Sequence, residues 1–211
     1  MTIANLPTSV PIRSFTPPVV VADLARISVE QYDRMVANGA LGSDDKIELL
    51  DGLLVQKMSK SPDHVVSADV FRAVLAALLP NGWCLRGQDP LSLDTSVPEP
   101  DLAVVRGKIT DYRKRHPNAE EVALVVEVAE SSLSRDRNWK RSIYARNSIP
   151  VYWIVNLIAR TLEVSTDPTG PCEVPAYRQS KIMTLADRVD FPIKGSVIAT
   201  FPVADLIPEA A

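Results

Sequence analysis

One carboxylate inside a long apolar run constrains the fold of this chain more than any other feature of its sequence. In "EEVALVVEVAESSL", residues 120–133, Glu127 stands between Val126 and Val128. A run of this length and β-branched content is typical of a strand that is buried on both faces of a sheet. An unpaired charge in such a strand costs on the order of several kcal/mol. We therefore expect another group to compensate the charge of Glu127.

The bulk composition excludes several protein classes but names no function. The chain has 211 residues, of which 46% are hydrophobic and 23% are charged, and this is the composition of an ordinary globular domain rather than a fibrous or disordered one. Its net charge of −3 argues against a large general affinity for nucleic acid, because such affinity depends on many Lys and Arg side chains. A local basic patch stays compatible with that charge.

The N-terminus and the cysteines indicate where the protein resides. Residues 1–24 contain several prolines and lack the pattern of a signal peptide, so we expect a flexible, proline-rich arm. No run of about 18 apolar residues occurs, so we expect no membrane-spanning segment and a cytoplasmic location. Cys84 and Cys172 are the only cysteines, and we expect two free thiols rather than a disulfide or a metal site.

Capping residues and turn residues predict the first half of the fold. Ser28 and Gln31 form a capping-box pattern, which predicts a helix over about 29–38. Asp51-Gly52 joins two apolar segments and predicts a β-hairpin with Glu48 on its first strand. Apolar residues recur at helical spacing between Asp63 and Leu79, and "PNG" ends that helix.

Strands dominate the second half of the predicted order. Strands are predicted in "WCLRGQDPLSLD", "PDLAVVRG", "VYWIVNL" and "RTLEVST". A second amphipathic helix, capped by Ser134 or Asp136, is predicted to run to about Asn147 before Pro150. The tail after Gly170 has five prolines and predicts edge strands and loops. The order of elements predicts an α+β or α/β-like fold, a mixed sheet with helices packed against it.

A second carboxylate precedes another apolar strand. Asp101 follows Pro100 and begins the run "LAVV", 26 residues before Glu127. Two carboxylates on adjacent strands can share a cation, and hard oxygen ligands with few Cys or His neighbours favour Mg²⁺ or Mn²⁺. A divalent metal would then compensate the charge of Glu127.

Several motifs in order resemble a known family. "IELLDGLLV", "SPDHVV", "PEPDLAVV", "LVVEVAESS", "DRNWKRSIYAR" and "VYWIVN" resemble the Uma-two family of restriction-endonuclease-like proteins, within the PD-(D/E)XK nuclease superfamily. The resemblance covers about residues 28–166. It implies a restriction-endonuclease-like mixed sheet flanked by helices, with residues 25–211 forming a single nuclease-like domain.

The resemblance also implies a set of site residues. The early glutamate of the family falls on Glu48, its Pro-Asp on Pro100-Asp101, and its strand glutamate on Glu127. The nominal lysine of the superfamily would stand two residues after Glu127, where this sequence has Ala129. The resemblance implies that a lysine of the following helix, Lys140, takes that role.

Two further residues are candidates for accessory roles. Asp136 lies four positions before Lys140, on the same face of the predicted helix. His64 stands in "SPDH", where the family has a histidine near the site. A metal held by Asp101 and Glu127, with Glu48 completing the coordination, would activate water and stabilise the charge of a phosphate.

Each of these residues also has an ordinary structural interpretation. Asp101 could bond to backbone amides, and Glu127 could pair with a buried arginine. Glu48 and Lys140 could simply face solvent. Three aromatic residues are expected in the core or an interface: Trp139, Tyr144 and Trp153. A basic rim that tracks phosphates is an open alternative to solvated charges for six residues: Arg113, Lys114, Arg115, Arg135, Arg137 and Arg141.

The sequence thus favours a metal-dependent endonuclease that hydrolyses DNA and leaves rivals open. The main rival is a catalytically inactive member of the fold that serves as a binding or assembly module, since Ala129 and the acidic net charge fit it. A nuclease acting on RNA or branched DNA is a third hypothesis. A homodimer is expected from fold-level analogy, because a two-fold pair can cut both strands of a duplex.

Overall fold

A six-stranded mixed sheet forms the centre of the protein. The computed structural model describes residues 24–208. The strands of the central sheet lie in the order β3-β4-β5-β6-β7-β8. They are β3 (Trp83–Arg86), β4 (Leu102–Arg106), β5 (Val122–Ala129), β6 (Val151–Asn156), β7 (Thr161–Pro168) and β8 (Tyr177–Met183). Only β5 and β6 pair in parallel, and a parallel pair needs a crossover, which the helical segment between them supplies.

The two faces of the sheet carry separate apolar cores. Along β5, Val126 and Val128 join the core that contains Phe71, whereas Val125 and Ala129 join the core that contains Tyr144. This alternation follows from the two-residue period of a strand. Glu127 lies between Val125 and Ala129 in that period, so the side chain is directed to the Tyr144 side of the sheet.

The N-terminal helix and the hairpin form as the sequence predicts. The helix α1 (Val29–Ala37) has a complete capping box between Ser28 and Gln31. The strands β1 (Ile47–Leu50) and β2 (Leu53–Gln56) pair antiparallel across a turn in which Asp51 and Gly52 both have positive φ, +48° and +77°. A Cβ on Gly52 would lie 2.8 Å from the Cβ of Arg26, so this turn requires glycine for space as well as for φ.

The long helix α2 (Pro62–Leu78) also confirms the prediction. Its N-cap is Ser61, whose hydroxyl accepts a hydrogen bond from the backbone N–H of His64. Ala68, Phe71 and Leu75 bury one face of the helix against the sheet. The N-terminal turn of α2, which carries His64, therefore lies at the end of the sheet where β4 begins.

The second helix differs from its prediction. It begins at Leu133 rather than after a cap at Ser134 or Asp136, and it is not α-helical throughout. It consists of an α-helical turn, α3 (Leu133–Arg135), a π-helical turn (Asp136–Lys140) and α4 (Arg141–Arg146). The N-cap position is Ser132, whose side chain makes no capping hydrogen bond. The π-helical turn brings both Asp136 and Lys140 into buried positions, which an exposed amphipathic pattern does not reveal.

The remaining predictions are largely confirmed. The predicted strand "WCLRGQDPLSLD" is shorter, because β3 ends at Arg86, before Pro90. The tail provides the edge strand β8 and the hairpin β9 (Arg188–Ile193) and β10 (Ser196–Pro202), which packs on the Phe71 side of the sheet. Both cysteines are free thiols. Residues 1–23 of the predicted proline-rich arm lie outside the described residues.

Between residues 24 and 208, no helix has the length and apolarity that crossing a bilayer requires.

Candidate active site

Strand register brings the two predicted acids together. Leu102 of β4 pairs with Val126 of β5, and extending this antiparallel register by one residue places Asp101 opposite Glu127. Residues directly opposite on an antiparallel pair have Cβ atoms about 4.5–5.5 Å apart and point to the same face. Asp101 and Glu127 thus both lie on the Tyr144 side of the sheet, at one end of the strands.

All six predicted site residues line one cavity. It has a volume of about 430 Å³ and opens to solvent beside the start of α2 and the π-helical turn. Its walls include Glu48, His64, Asp101, Glu127, Asp136 and Lys140. Each of these side chains is largely buried, so the cavity concentrates ionisable groups at low exposure. Burial of this kind strengthens every electrostatic interaction among them.

Lys140 connects the two glutamates. Its Nζ donates a hydrogen bond to Glu127 Oε1 at 3.0 Å and lies 3.2 Å from Glu48 Oε2. Tyr144, one helical turn later, donates its hydroxyl to the same Glu127 oxygen at 2.8 Å. A buried arginine is the alternative partner that the sequence leaves open for Glu127. In the structure a lysine and a phenol hold this carboxylate.

Asp101 has a separate set of donors. Its Oδ1 lies 2.9 Å from His64 Nε2 and accepts a hydrogen bond from Lys60 Nζ at 3.1 Å. Its Oδ2 accepts from the backbone N–H of Val128 at 2.9 Å, so the ordinary interpretation of Asp101 as a backbone-bonded carboxylate also holds in part. Burial opposes ionisation, but the donation by His64 and the charge of Lys60 hold the pKa of Asp101 at about 2.

Burial has the opposite outcome at Glu127. Desolvation raises the pKa of Glu127 to about 8, although the ammonium of Lys140 opposes this shift. Burial also raises the pKa of Asp136. The pKa of Lys140 is raised because the charges of Glu127 and Glu48 outweigh its desolvation. Neighbouring charges and donors thus favour ionisation of Asp101 and Lys140, whereas burial opposes ionisation of Glu127 and Asp136 and raises the pKa of both carboxyls.

The hairpin and the helical segment are fastened to each other behind the site. The carboxylate of Asp51, in the hairpin turn, accepts hydrogen bonds from Trp139 Nε1 at 2.6 Å and from Arg146. Trp139 is thus a polar anchor as well as an aromatic packing residue. Because Glu48 lies on the hairpin and Lys140 follows Trp139, this contact fixes the separation of the two site residues.

Three of the six residues of the suggested basic rim are engaged elsewhere. Arg137 makes a bidentate ion pair with Glu163, and Arg141 donates to Ser165 and Ser180. Arg115 makes a bidentate pair with Glu121. Arg135 is the one member of the six-residue set that lines the acidic cavity among the described residues, where it lies 3.8 Å from Glu48.

Two site residues were missed by sequence reasoning. Lys60 precedes α2 in "SKSPDH" and gives no local sign that it will reach Asp101. Tyr144 was assigned to core packing, and it is fully buried there, but its hydroxyl also bonds to Glu127. Its spacing of four residues from Lys140 was the available signal, since both side chains then lie on one helical face.

Comparison with known proteins identifies the family of this chain. The family model Uma2, described as "Putative restriction endonuclease", matches residues 29–192. The chain belongs to the Uma2 family. A search of curated proteins returned no match.

A solved structure shares the fold of this Uma2 protein. It is the crystal structure of "a putative nuclease belonging to DUF820" from Anabaena variabilis ATCC 29413, with a TM-score of 0.62 and 11% sequence identity. The match covers 86% of this chain and 97% of the other. At 11% identity the likeness establishes the nuclease-type fold of this Uma2 protein. The chemistry of the site has to be inferred from the residues of this chain.

The Tyr144 hydroxyl gives a first prediction for this Uma2 protein. Tyr144→Phe removes one donor from Glu127 without leaving a cavity, so the free energy of unfolding should fall by about 1–2 kcal/mol. Urea denaturation at neutral pH measures it. Tyr177→Phe is the matched control, because its buried hydroxyl bonds to the carbonyl of Ile149 and to no carboxylate among the described residues. An unchanged stability for Tyr144→Phe would contradict the hydrogen bond to Glu127.

The low pKa of Asp101 gives a second prediction. Folding lowers the pKa of Asp101 from 3.8 to about 2. The ionised carboxylate therefore stabilises the folded state at pH values above 3.8, and this contribution is lost as the pH falls from there through 2. It amounts to about 2 kcal/mol. Urea denaturation of wild type and Asp101→Asn should give a difference in stability that is constant above about pH 5 and shrinks below it. A difference that is independent of pH between 6 and 3 would contradict the assigned contacts.

Proposed function

We propose that this protein is a metal-dependent endonuclease that hydrolyses phosphodiester bonds in DNA. The observation that carries the proposal is that Asp101 and Glu127, which the β4–β5 register brings opposite each other, line one open cavity beside the Lys140 ammonium. A nuclease-type fold and membership of the Uma2 family support the reaction class.

The donor chemistry of the cavity fits a hard divalent cation. Glu48, Asp101 and Glu127 supply carboxylate oxygens, and Asp136 Oδ2 is buried without a hydrogen-bond partner among the described residues. Within residues 24–208, no group of three or more His, Cys, Asp or Glu side chains is arranged to hold a metal on its own. Mg²⁺ keeps several waters and is typically held by one or two carboxylates, so Asp101 and Glu127 meet its requirement.

The residues of the chain then have distinct roles. A Mg²⁺ or Mn²⁺ ion held by Asp101 and Glu127, with Glu48 completing its surroundings, would supply an acidified water and polarise a phosphate oxygen. Lys140 places a positive charge beside the phosphate, where negative charge develops as water adds to phosphorus and the P–O bond to the leaving nucleotide breaks. His64 and Lys60 keep Asp101 ionised and oriented, and Tyr144 orients Glu127.

Metal uptake and metal-dependent cleavage test the proposal together. Titration calorimetry with Mn²⁺ should show binding that Glu127→Ala and Asp101→Ala remove. Supercoiled plasmid and single-stranded DNA should be cleaved with Mg²⁺ or Mn²⁺ and left intact with EDTA. Equal cleavage by wild type and both variants would reject these assignments. Cleavage of RNA or branched DNA in place of these substrates would revise the substrate only.

A second candidate is a catalytically inactive binding or assembly module. Ala129, fully buried at the nominal lysine position, favours it, as does the internal pairing of Glu127 with Lys140. Such a module would show no carboxylate-dependent uptake of Mn²⁺ and no cleavage.

We extend the proposal to assembly and location. Two copies would cut the two strands of a duplex, so light scattering coupled to size-exclusion chromatography should give twice the mass of the chain. The cytoplasm is the expected location.

A further inference from the structure

A second and larger cavity adjoins the acidic one. It has a volume of about 820 Å³ and lies between α1 and the loop of residues 113–118. One wall is largely apolar, with Tyr32, Val36 and Leu41, and also carries Asp33. Val36 is about half exposed there. The cavity thus offers apolar contact area that other described side chains do not cover.

The opposite wall is basic. Arg113 and Lys114 are exposed and have no ion-pair or hydrogen-bond partner among the described residues, whereas their neighbour Arg115 is bound to Glu121. His116 also lines this wall, and its Nδ1 is buried without a partner in the described part of the chain. Two cations without a partner among the described residues therefore line the same space as the apolar wall.

The two cavities share a boundary. Lys57 and Glu99 line both of them and form an ion pair at 2.6 Å. The backbone N–H of Glu99 also donates to Glu48 Oε2 at 3.2 Å, so this boundary is tied directly to the acidic site. Only this partly exposed ion pair, among the described residues that line both cavities, separates the second cavity from the acidic site.

We propose that the second cavity binds an unpaired nucleotide of a single-stranded segment next to the phosphate that is cleaved. This inference rests on the proposed nuclease function and specifies its substrate. Cations that track phosphates, combined with an apolar surface for a base, are the features that bind single strands without sequence preference. A base that is paired in a duplex keeps its faces stacked and cannot enter such a cavity.

The charge distribution supports this occupant over a free anion or a continuous duplex. The net charge of the chain is −3, so the pair Arg113 and Lys114 is a local feature and not part of a general basic surface. An inorganic anion would use the cations and leave the apolar wall exposed. The protein should therefore prefer frayed, gapped or flapped DNA to intact duplex.

Binding measured without metal tests the inference separately from cleavage. Fluorescence anisotropy in EDTA would compare a labelled single strand, its duplex and an abasic strand of equal length. For the single strand, Arg113→Ala/Lys114→Ala should weaken binding by about tenfold and lower the slope of log K against log salt by about 1.4, because each lost contact contributes about 0.7. The abasic strand should bind wild type at least about fivefold more weakly than the intact strand.

A matched pair of substitutions controls for net charge. Arg178→Ala/Lys181→Ala removes the same two residue types from exposed positions on the edge strand β8, far along the sheet from the cavity. It should change the affinity by less than about twofold. Equal weakening by both double variants, equal affinity for abasic and intact strands, or tighter binding of duplex would each overturn the inference. A protein that cleaves DNA but fails these tests refutes only this inference, and one that passes them without cleaving refutes only the proposed function.

Discussion

Asp101→Asn is expected to lower the rate of DNA cleavage by about 10³-fold or more while the protein stays folded. The substitution removes one charge and keeps the size of the side chain. Its remaining carbonyl oxygen can still accept from Val128 or from His64. The loss should therefore appear in catalysis, since a neutral amide is a weak ligand for a hard divalent cation. Initial rates of plasmid nicking with Mn²⁺ measure it, and circular dichroism confirms the fold.

Glu130→Gln is the control for that variant. Glu130 lines the same cavity but is exposed at its mouth, beyond the end of β5. Its substitution removes the same charge from the same space and should lower the rate by less than about tenfold, because an exposed charge is screened. Similar losses in the two variants would mean that the cavity contributes only its overall potential, and Asp101 would lose its proposed role.

The hairpin turn and the central strand were predictable because a short residue pattern is enough to determine the backbone conformation of each. Asp51-Gly52 needs two positive φ values, and few turns other than a tight hairpin turn provide them. The run around Glu127 is too apolar and too β-branched for anything but a central strand. The π-helical turn at 136–140 escaped prediction because its amphipathic pattern resembles that of an ordinary helix. The π-helical turn differs from such a helix in that both Asp136 and Lys140 are buried at the site, and the sequence pattern does not reveal this burial.

The candidate site was predictable to the extent that it follows strand periodicity. Asp101 and Glu127 share a face and a register, and both properties can be read from the apolar runs around them. The position of Lys140 came from the family resemblance, since nothing local to an exposed-looking helix predicts a buried lysine. Lys60 was missed because its contact with Asp101 spans 41 residues of chain and depends on how the N-terminus of α2 packs beside the start of β4.

The sequence predicts that a metal compensates the charge of Glu127, and the structure shows that side chains of the protein also do so. Lys140 and Tyr144 already hold the carboxylate, and its pKa of about 8 shows how much burial still disfavours the anion. A carboxyl in this condition would bind a cation at the cost of releasing a proton, so the affinity for Mn²⁺ should rise with pH. Lys140 and Tyr144 thus compensate the buried acid within the chain, and a divalent ion at Glu127 is the proposal that the Mn²⁺ titration tests.

Lys140→Met is expected to cause the largest loss of stability, about 3–5 kcal/mol, because it leaves the buried carboxyls of Glu48 and Glu127 without their shared cation. Methionine fills a similar volume, so the loss is electrostatic rather than a cavity effect. Protonation neutralises stranded carboxylates, so the loss should shrink as pH falls below the raised pKa of Glu127. Urea denaturation between pH 9 and pH 5 measures both the loss and its pH dependence.

Two variants make the Lys140 prediction specific. Adding Glu127→Gln to Lys140→Met should recover part of the stability, because the double variant no longer buries that unpaired carboxylate. Lys60→Met removes a half-exposed ammonium from Asp101 and should cost only about 1 kcal/mol or less. Equal losses of stability for Lys60→Met and Lys140→Met would show that the burial of Lys140 does not account for its contribution to stability. If the double variant were no more stable than Lys140→Met, the assignment of Glu127 as the stranded charge would fail, and the case for a site built around that carboxylate would fail with it.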